Sequence, residues 1–325
     1  MLLSVLLFAV GLVLLIKGGD WFVDGATGIA KRFNLPDIVV GATVVSIGTT
    51  LPEVMVSTTG ALQGSGAMAY GNAIGSIICN TALIAAISIT CNPGPVNVKS
   101  MKTPAVFFFC SAAIYCLAAY ALGTFPRWLG FVMLGIFVVY MVLTVRNGMR
   151  NPDAAAEEEE EEGGKETALW QELVLLVVGA AVIAVGANLL VEHGQIIALG
   201  LGVPETVVAL LFVALGTSLP ELVTTITSLK KGRASLGVGN VIGANVFNLV
   251  LVSGVAVSLA PFDVPCENTL LTTGLTLSLV FDIPVMLLVM SLMIFPALTT
   301  KKLHRWQGIL LLGIYAAFCV LQFVL

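Results

Sequence analysis

Ten apolar stretches, each about as long as a bilayer is thick, leave this 325-residue chain few ways to fold. They fall near 2–29, 36–62, 67–90, 104–122, 126–145, 169–198, 205–229, 234–259, 270–294 and 305–325, parted by charges, prolines and glycines. A helix crosses the hydrocarbon core with roughly 20 apolar residues. Only 10% of the residues are charged, whereas soluble domains carry about a quarter. A soluble enzyme, a nucleic-acid binder and a disulfide scaffold are thereby excluded. The expected fold is an all-α integral membrane protein of ten transmembrane helices, with the lipid bilayer as its surroundings and no nucleic acid or obligatory protein partner. Met1 to Ile16 lacks a basic start and a small-residue cleavage site, so it reads as the first span.

The basic residues test the span count. Lys31, Arg32, Lys99, Lys102, Arg146, Arg150, Lys165, Lys230, Lys231, Arg233, Lys301, Lys302 and Arg305 all follow odd-numbered spans. The even-side loops hold only Arg127, and Lys17 lies within span 1. Because positive loops stay in the cytoplasm, a multi-pass protein of the cell membrane with both termini outside is expected. The net charge of −4 is dominated by Glu157 to Glu162. That run sits in a polar stretch that reads as a solvated cytoplasmic linker, too short for a regulatory domain.

The chain also repeats itself. Ser46-Ile-Gly-Thr-Thr-Leu-Pro-Glu53 matches Ala214-Leu-Gly-Thr-Ser-Leu-Pro-Glu221 at an offset of 168 residues. At the same offset, Gly71-Asn-Ala-Ile-Gly-Ser-Ile-Ile-Cys-Asn80 matches Gly239-Asn-Val-Ile-Gly-Ala-Asn-Val-Phe-Asn248, giving 13 identities in 40 between 41–80 and 209–248. The expected organisation is a first five-helix unit over 1–146, a linker over 147–168 and a second unit over 169–325. Five is odd, so the second unit enters the membrane from the opposite side. Inverted repeats place their site near the midplane, on helices interrupted by glycine and proline. Gly48 and Pro52 are expected to break span 2, and Gly216 and Pro220 span 7. Spans 3 and 8 have glycines at which they too could break.

Glu53 and Glu221 lie mid-span, where inserting a charged side chain costs about 2.5–3.5 kcal/mol. A cost incurred twice, at matching positions, calls for a compensating cation. Thr49, Thr50, Thr217 and Ser218 stand one turn earlier, Asn80 and Asn248 add amide oxygens, and Ser76 faces Ala244 as its counterpart. With no histidine or clustered cysteine nearby the shell is all oxygen, which suits Ca2+. The same oxygens can hold several Na+ ions, and protonation is a third way to relieve the repulsion of two carboxylates.

The doubled GT[ST]LPE and GN[AV]IG[SA]xxxN segments resemble the two repeats of the sodium/calcium exchanger family, of the prokaryotic type without a regulatory domain. The resemblance spans both halves. It implies a secondary antiporter with Ca2+ and Na+ as transported ions and no cofactor. It implies further that Glu53 and Glu221 are the central cation ligands and that Thr49 and Thr217 give carbonyl and hydroxyl oxygens. Asn80 would complete the centre and Ser76 a flanking sodium site, with the Ser46 and Ala214 carbonyls as outer sodium ligands. Spans 1 and 6 would slide together past the others. Asn248 stands where some members carry aspartate, and Ala244 where many supply serine.

Exchange of Ca2+ for H+, or Na+/Ca2+ exchange that also needs K+, stays open at this point; a cation channel is the distant alternative. Lys17, Asp20 and Asp24 share one face of span 1, either as an internal Lys17–Asp20 ion pair or at the mouth of the sliding helix. An intramembrane protease is excluded by the absence of GxSG, GxGD and HExxH motifs.

Overall fold

A computed structural model describes residues 2–150, 168–201, 216–265 and 278–324. Its described part is all-helical apart from four two-residue strands. The helices are α1 (Leu2–Arg32), α2 (Asp37–Leu62), α3 (Gly66–Cys91), α4 (Val98–Leu122), α5 (Arg127–Met149), α6 (Leu169–Gly200), α7 (Leu219–Lys230), α8 (Ala234–Leu259), α9 (Ser278–Thr300) and α10 (Arg305–Val324). Nine of these are long and apolar enough to cross a membrane among the described residues. The remaining one, α7, is the described end of the stretch expected at 205–229. Most of the 147–168 linker lies outside the described residues.

α8, α3 and α2 are the most enclosed helices, while α6 and α10 run along the outside. Helix α4 starts six residues earlier than its apolar run. Asn97 caps it, its Oδ1 accepting from the backbone N–H of Lys99 and Ser100 at 3.1 and 3.2 Å, which lets the first turn carry lysines that read as loop.

The break expected in span 2 is corrected, and the glycines of spans 3 and 8 do not break those helices either. α2 runs through Gly48 and Pro52, α3 through Gly71 and Gly75, and α8 through Gly239 and Gly243. Each of these helices instead widens into a π-turn, at Gly41–Val45, Asn80–Ala85 and Asn248–Val252 respectively. A π-turn leaves carbonyls without the usual partner, and neighbours satisfy them. Tyr140 of α5 donates to the Ala42 carbonyl at 2.7 Å, Ser46 to Gly41 at 2.8 Å and Ser253 to Asn248 at 2.9 Å. In span 7 the turn falls at Ser218, between the expected Gly216 and Pro220, which are both helical: Ser218 has φ −89° and ψ 3°, and α7 starts directly after it, with Pro220 in its first turn.

The repeat shows in the backbone as well. α2 and α7 end alike, on Gly64 at φ +82° and Gly232 at φ +73°, 168 positions apart. There a side chain would be strained, and the next N–H closes back onto Gly60 and Ser228 carbonyls respectively.

Contacts between the two sequence units join ends that follow spans of the same parity. Gly94–Pro95, after α3, pairs with Lys302–Leu303, after α9; Thr124–Phe125, after α4, pairs with Phe262–Asp263, after α8. Ion pairs among the described residues lie at ends bordering odd-side loops. Arg32 Nε meets Glu172 at 3.1 Å, Arg233 Nη1 meets Asp37 at 3.2 Å, and Lys231 Nζ meets Asp24 at 2.6 Å and Asp20 at 4.0 Å. The acids of span 1 therefore face Lys231 beyond α7 rather than turning inward to Lys17. This ties α1 to the start of the α7–α8 connection.

α1 and α6 cross antiparallel through glycines. A Cβ at Gly11 would lie 2.9 Å from the Gly186 carbonyl oxygen, and one at Gly18 3.0 Å from that of Gly179. The partners are exchanged across the 168-residue offset, since Gly11 corresponds to Gly179 and Gly18 to Gly186. Such small-residue seams let backbones approach without bulky side chains between them. A Cβ at Gly179 would sit 2.5 Å from the Phe22 backbone nitrogen. Gly179→Ala is therefore expected to cost about 1–3 kcal/mol, read as a lowered unfolding midpoint of the detergent-solubilised protein.

Candidate functional site

Glu53 and Glu221 are both completely buried, at 0% exposure, and none of their four carboxyl oxygens has a hydrogen-bond partner. Buried polar atoms are almost always paired, and a buried carboxyl left unpaired is the costliest case. The two acids lie close enough to feel each other's charge, and the side chains of Thr49 and Thr50 stand beside Glu221. Glu53 rides mid-helix behind Pro52, which lacks the N–H that would bond the carbonyl of Gly48. Glu221 sits in the first turn of α7, where the positive end of the helix dipole favours an anion.

Asn80 and Asn248 open the π-turns of α3 and α8. Both are fully buried, and both ends of each side-chain amide lack a partner. Thr50 Oγ1 and Ser218 Oγ are unpartnered in the same way. Thr217 and Ser76 are buried, Ala244 packs in the core, and Ala214 lies outside the described residues. Among the described residues there is no group of three or more His, Cys, Asp or Glu, so two carboxylates with neutral hydroxyls and amides make up the cluster. Hard cations accept such ligands.

Ser46, Thr49 and Thr217 are engaged by two residues to which the sequence reading gave no role. Asn240 Oδ1 accepts from Thr49 Oγ1 at 3.1 Å and lies 3.2 Å from Ser46 Oγ as one of that hydroxyl's alternative acceptors. Asn72 Oδ1 accepts from Thr217 Oγ1 at 3.4 Å, while its Nδ2 donates to the Glu53 carbonyl at 3.3 Å and to Ser57 Oγ at 2.9 Å. The available signal was that both asparagines are identical residues of the repeat. The hydroxyls that their side-chain oxygens accept from lie in the other unit, so no local pattern announces them.

A largely apolar cleft of about 920 Å3 lies between α2 and α6; Phe22, Leu51, Pro52, Ala184, Asn188 and Thr217 are among its lining residues. It reaches the cluster at Thr217.

The profile of the family described as sodium/calcium exchanger protein matches residues 3–146 and 172–324. The chain belongs to the sodium/calcium exchanger family. It is similar to the sodium/calcium exchanger MaX1 of Methanosarcina acetivorans, 31% identical with 98% of each chain covered. It is also similar to the putative antiporter CaxA of Alkalimonas amylolytica, 34% identical with 99% of each covered. Among solved structures it resembles the sodium-calcium exchanger NCX_Mj, with a TM-score of 0.79, 30% identity and 97% of both chains covered. Exchangers of this family are membrane transport proteins, in keeping with the apolar helices described above.

Proposed function

We propose that this member of the family is a secondary antiporter that exchanges Na+ for Ca2+ by alternating access. The observation that carries the reading is the pair of fully buried glutamates whose four oxygens have no partner, set against the equally unpartnered amides of Asn80 and Asn248. Two ionised glutamates neutralise one Ca2+, and with hydroxyl and amide oxygens they approach the six to eight ligands that this ion takes. Glu53, Glu221, Thr49, Thr217, Asn80 and Asn248 form the centre of the proposed site. Thr50, Ser218, Ser76 and the carbonyls of Ser46 and Ala214 serve as flanking oxygens for Na+. Competition for shared ligands then couples the two ions, because the two carboxylates repel one another without a cation between them.

The proposed arrangement is two inverted five-helix units, 1–146 and 169–325. Same-parity contacts and the exchanged glycine partners of α1 and α6 support it, since both follow from a pseudo-twofold axis in the membrane plane. The basic residues support termini outside and the 147–168 linker in the cytoplasm. The two units also differ: α2 passes through its Pro52 as a helix, whereas the equivalent stretch is interrupted at Ser218. Alternating access predicts such inequivalence between the halves in any one state.

In vesicles holding the purified protein, 45Ca2+ uptake is expected to require an outward Na+ gradient and to saturate with Ca2+. Uptake driven equally well by a pH gradient, and indifferent to Na+, would replace this reading with Ca2+/H+ exchange. Non-saturating uptake without a counter-ion would indicate a channel.

A further inference from the structure

We infer that Asn240 and Asn72 are positioning residues that hold the Thr49 and Thr217 hydroxyls with their protons turned toward an asparagine of the opposite unit, leaving the oxygen lone pairs for a cation. The inference rests on the proposed cation site and adds to it the groups that aim two of its ligands.

A threonine hydroxyl carries one proton and can serve a cation only through its oxygen. Its proton must therefore be accepted by something other than the ion's own ligands. Thr49 stands beside the Glu221 carboxyl, an acceptor that would capture the proton and so occupy both groups with each other. Instead, Asn240 Oδ1 lies in hydrogen-bond geometry with Thr49 Oγ1 at 3.1 Å, while neither Glu221 oxygen meets that geometry. Asn240 is completely buried, so no solvent competes for its oxygen.

Asn72 stands 168 positions before Asn240 and does the same for Thr217 at 3.4 Å. Its amide protons meanwhile fasten the Glu53 carbonyl and Ser57 of its own unit. Each asparagine thus reads the threonine of the other unit, crossing the interface twice. The two are not in equal states. Asn240 Nδ2 has no partner, and neither does Thr225 Oγ1, which occupies the position equivalent to Ser57. Residues that orient ligands in this way typically change metal affinity 10–100-fold when removed.

Ser46 separates the effect on Thr49 from general disruption. Its hydroxyl also has the carbonyls of Gly41 and Asn240 within 2.8 and 3.0 Å, so it keeps acceptors when the Asn240 side chain is lost. Thr49 would be left beside the Glu221 carboxyl, with no second acceptor of this kind among the described residues.

The test is a double-substitution cycle in Na+-loaded vesicles, reading the KM for Ca2+ and the maximal rate, with the unfolding midpoint as a control for folding. Asn240→Leu is expected to raise the KM about tenfold in the parent and in a Thr49→Ser background. In a Thr49→Val background, where no proton needs direction, it should change the KM less than twofold. An equal, multiplicative rise in the Val background would overturn the inference, as would an unchanged KM in the parent. Should Asn240→Leu fail to fold, Asn240→Ala, which likewise removes the acceptor of the Thr49 proton, decides it in the same cycle by the same criteria. A parent protein that shows no Na+-dependent Ca2+ flux would instead sink the exchanger reading, an outcome recognisable before any variant is made.

Discussion

Glu53→Gln and Glu221→Gln are each expected to abolish Na+-driven Ca2+ uptake while the protein still inserts and purifies normally. Glutamine keeps the volume and an acceptor oxygen, so the packing around α2 and α7 has no reason to change. What it removes is one of only two negative charges at the cluster. Leaving a buried charge without its counterpart costs about 3–5 kcal/mol, or roughly two to three and a half decades in affinity at 1.4 kcal/mol per decade. Ca2+ would suffer the whole of that loss, and transport would fall below detection at micromolar Ca2+. In Ca2+-free and Na+-free buffer the unfolding midpoint should hold or rise, because two carboxyls that repel across a fully buried cluster are reduced to one. Near-normal uptake in both variants would place the cation elsewhere.

Arg233→Met is expected to lower the stability of the solubilised protein by about 3 kcal/mol or more. Arg233 precedes α8 and points its Nη1 at both oxygens of Asp37, at 3.3 and 3.2 Å, with side-chain exposures of 10% and 3%. This bridge joins the start of α2 to the start of α8, the two helices that supply Ser46, Thr49, Asn240 and Asn248. Methionine restores most of the volume, so the loss is electrostatic: a guanidinium is taken from an acid that is 2% exposed. Adding Asp37→Asn should recover a large part of it, since replacing a buried pair by neutral residues is often close to neutral. A double variant as unstable as the single one would mean that packing, not charge, sets the cost. The ion pair between Lys231 and Asp24, whose acid is more than half exposed, has no comparable effect because solvent screens it.

Much of the architecture was legible because membrane burial leaves a coarse mark. Twenty apolar residues between polar turns read as a span whatever they touch. Asn97 and the lysines of α4 show the limit: the apolar run stops where the capped helix does not. The prolines misled for a related reason. Pro52 removes a hydrogen bond, but α8 and α5 hold α2 in line through Ser46 and Tyr140, so the helix passes through and its irregular turn moves to Gly41–Val45. In the other unit Ser218 does mark a break. One motif has two local structures, and the motif alone contains nothing that chooses between them.

The sequence by itself determined the family, the apolar helices and the pair of glutamates, one in each repeat, because hydropathy and an internal repeat are properties of the chain that need no partner. Only the tertiary structure decided that Asn80 and Asn248 open π-turns, that Tyr140 satisfies Ala42, and that Thr49 answers to Asn240 and Thr217 to Asn72. Those are hydrogen bonds between residues up to about 190 positions apart. A hydroxyl's single proton goes to whichever acceptor the packing brings within 3 Å or so, and no periodicity along the chain records which one that is.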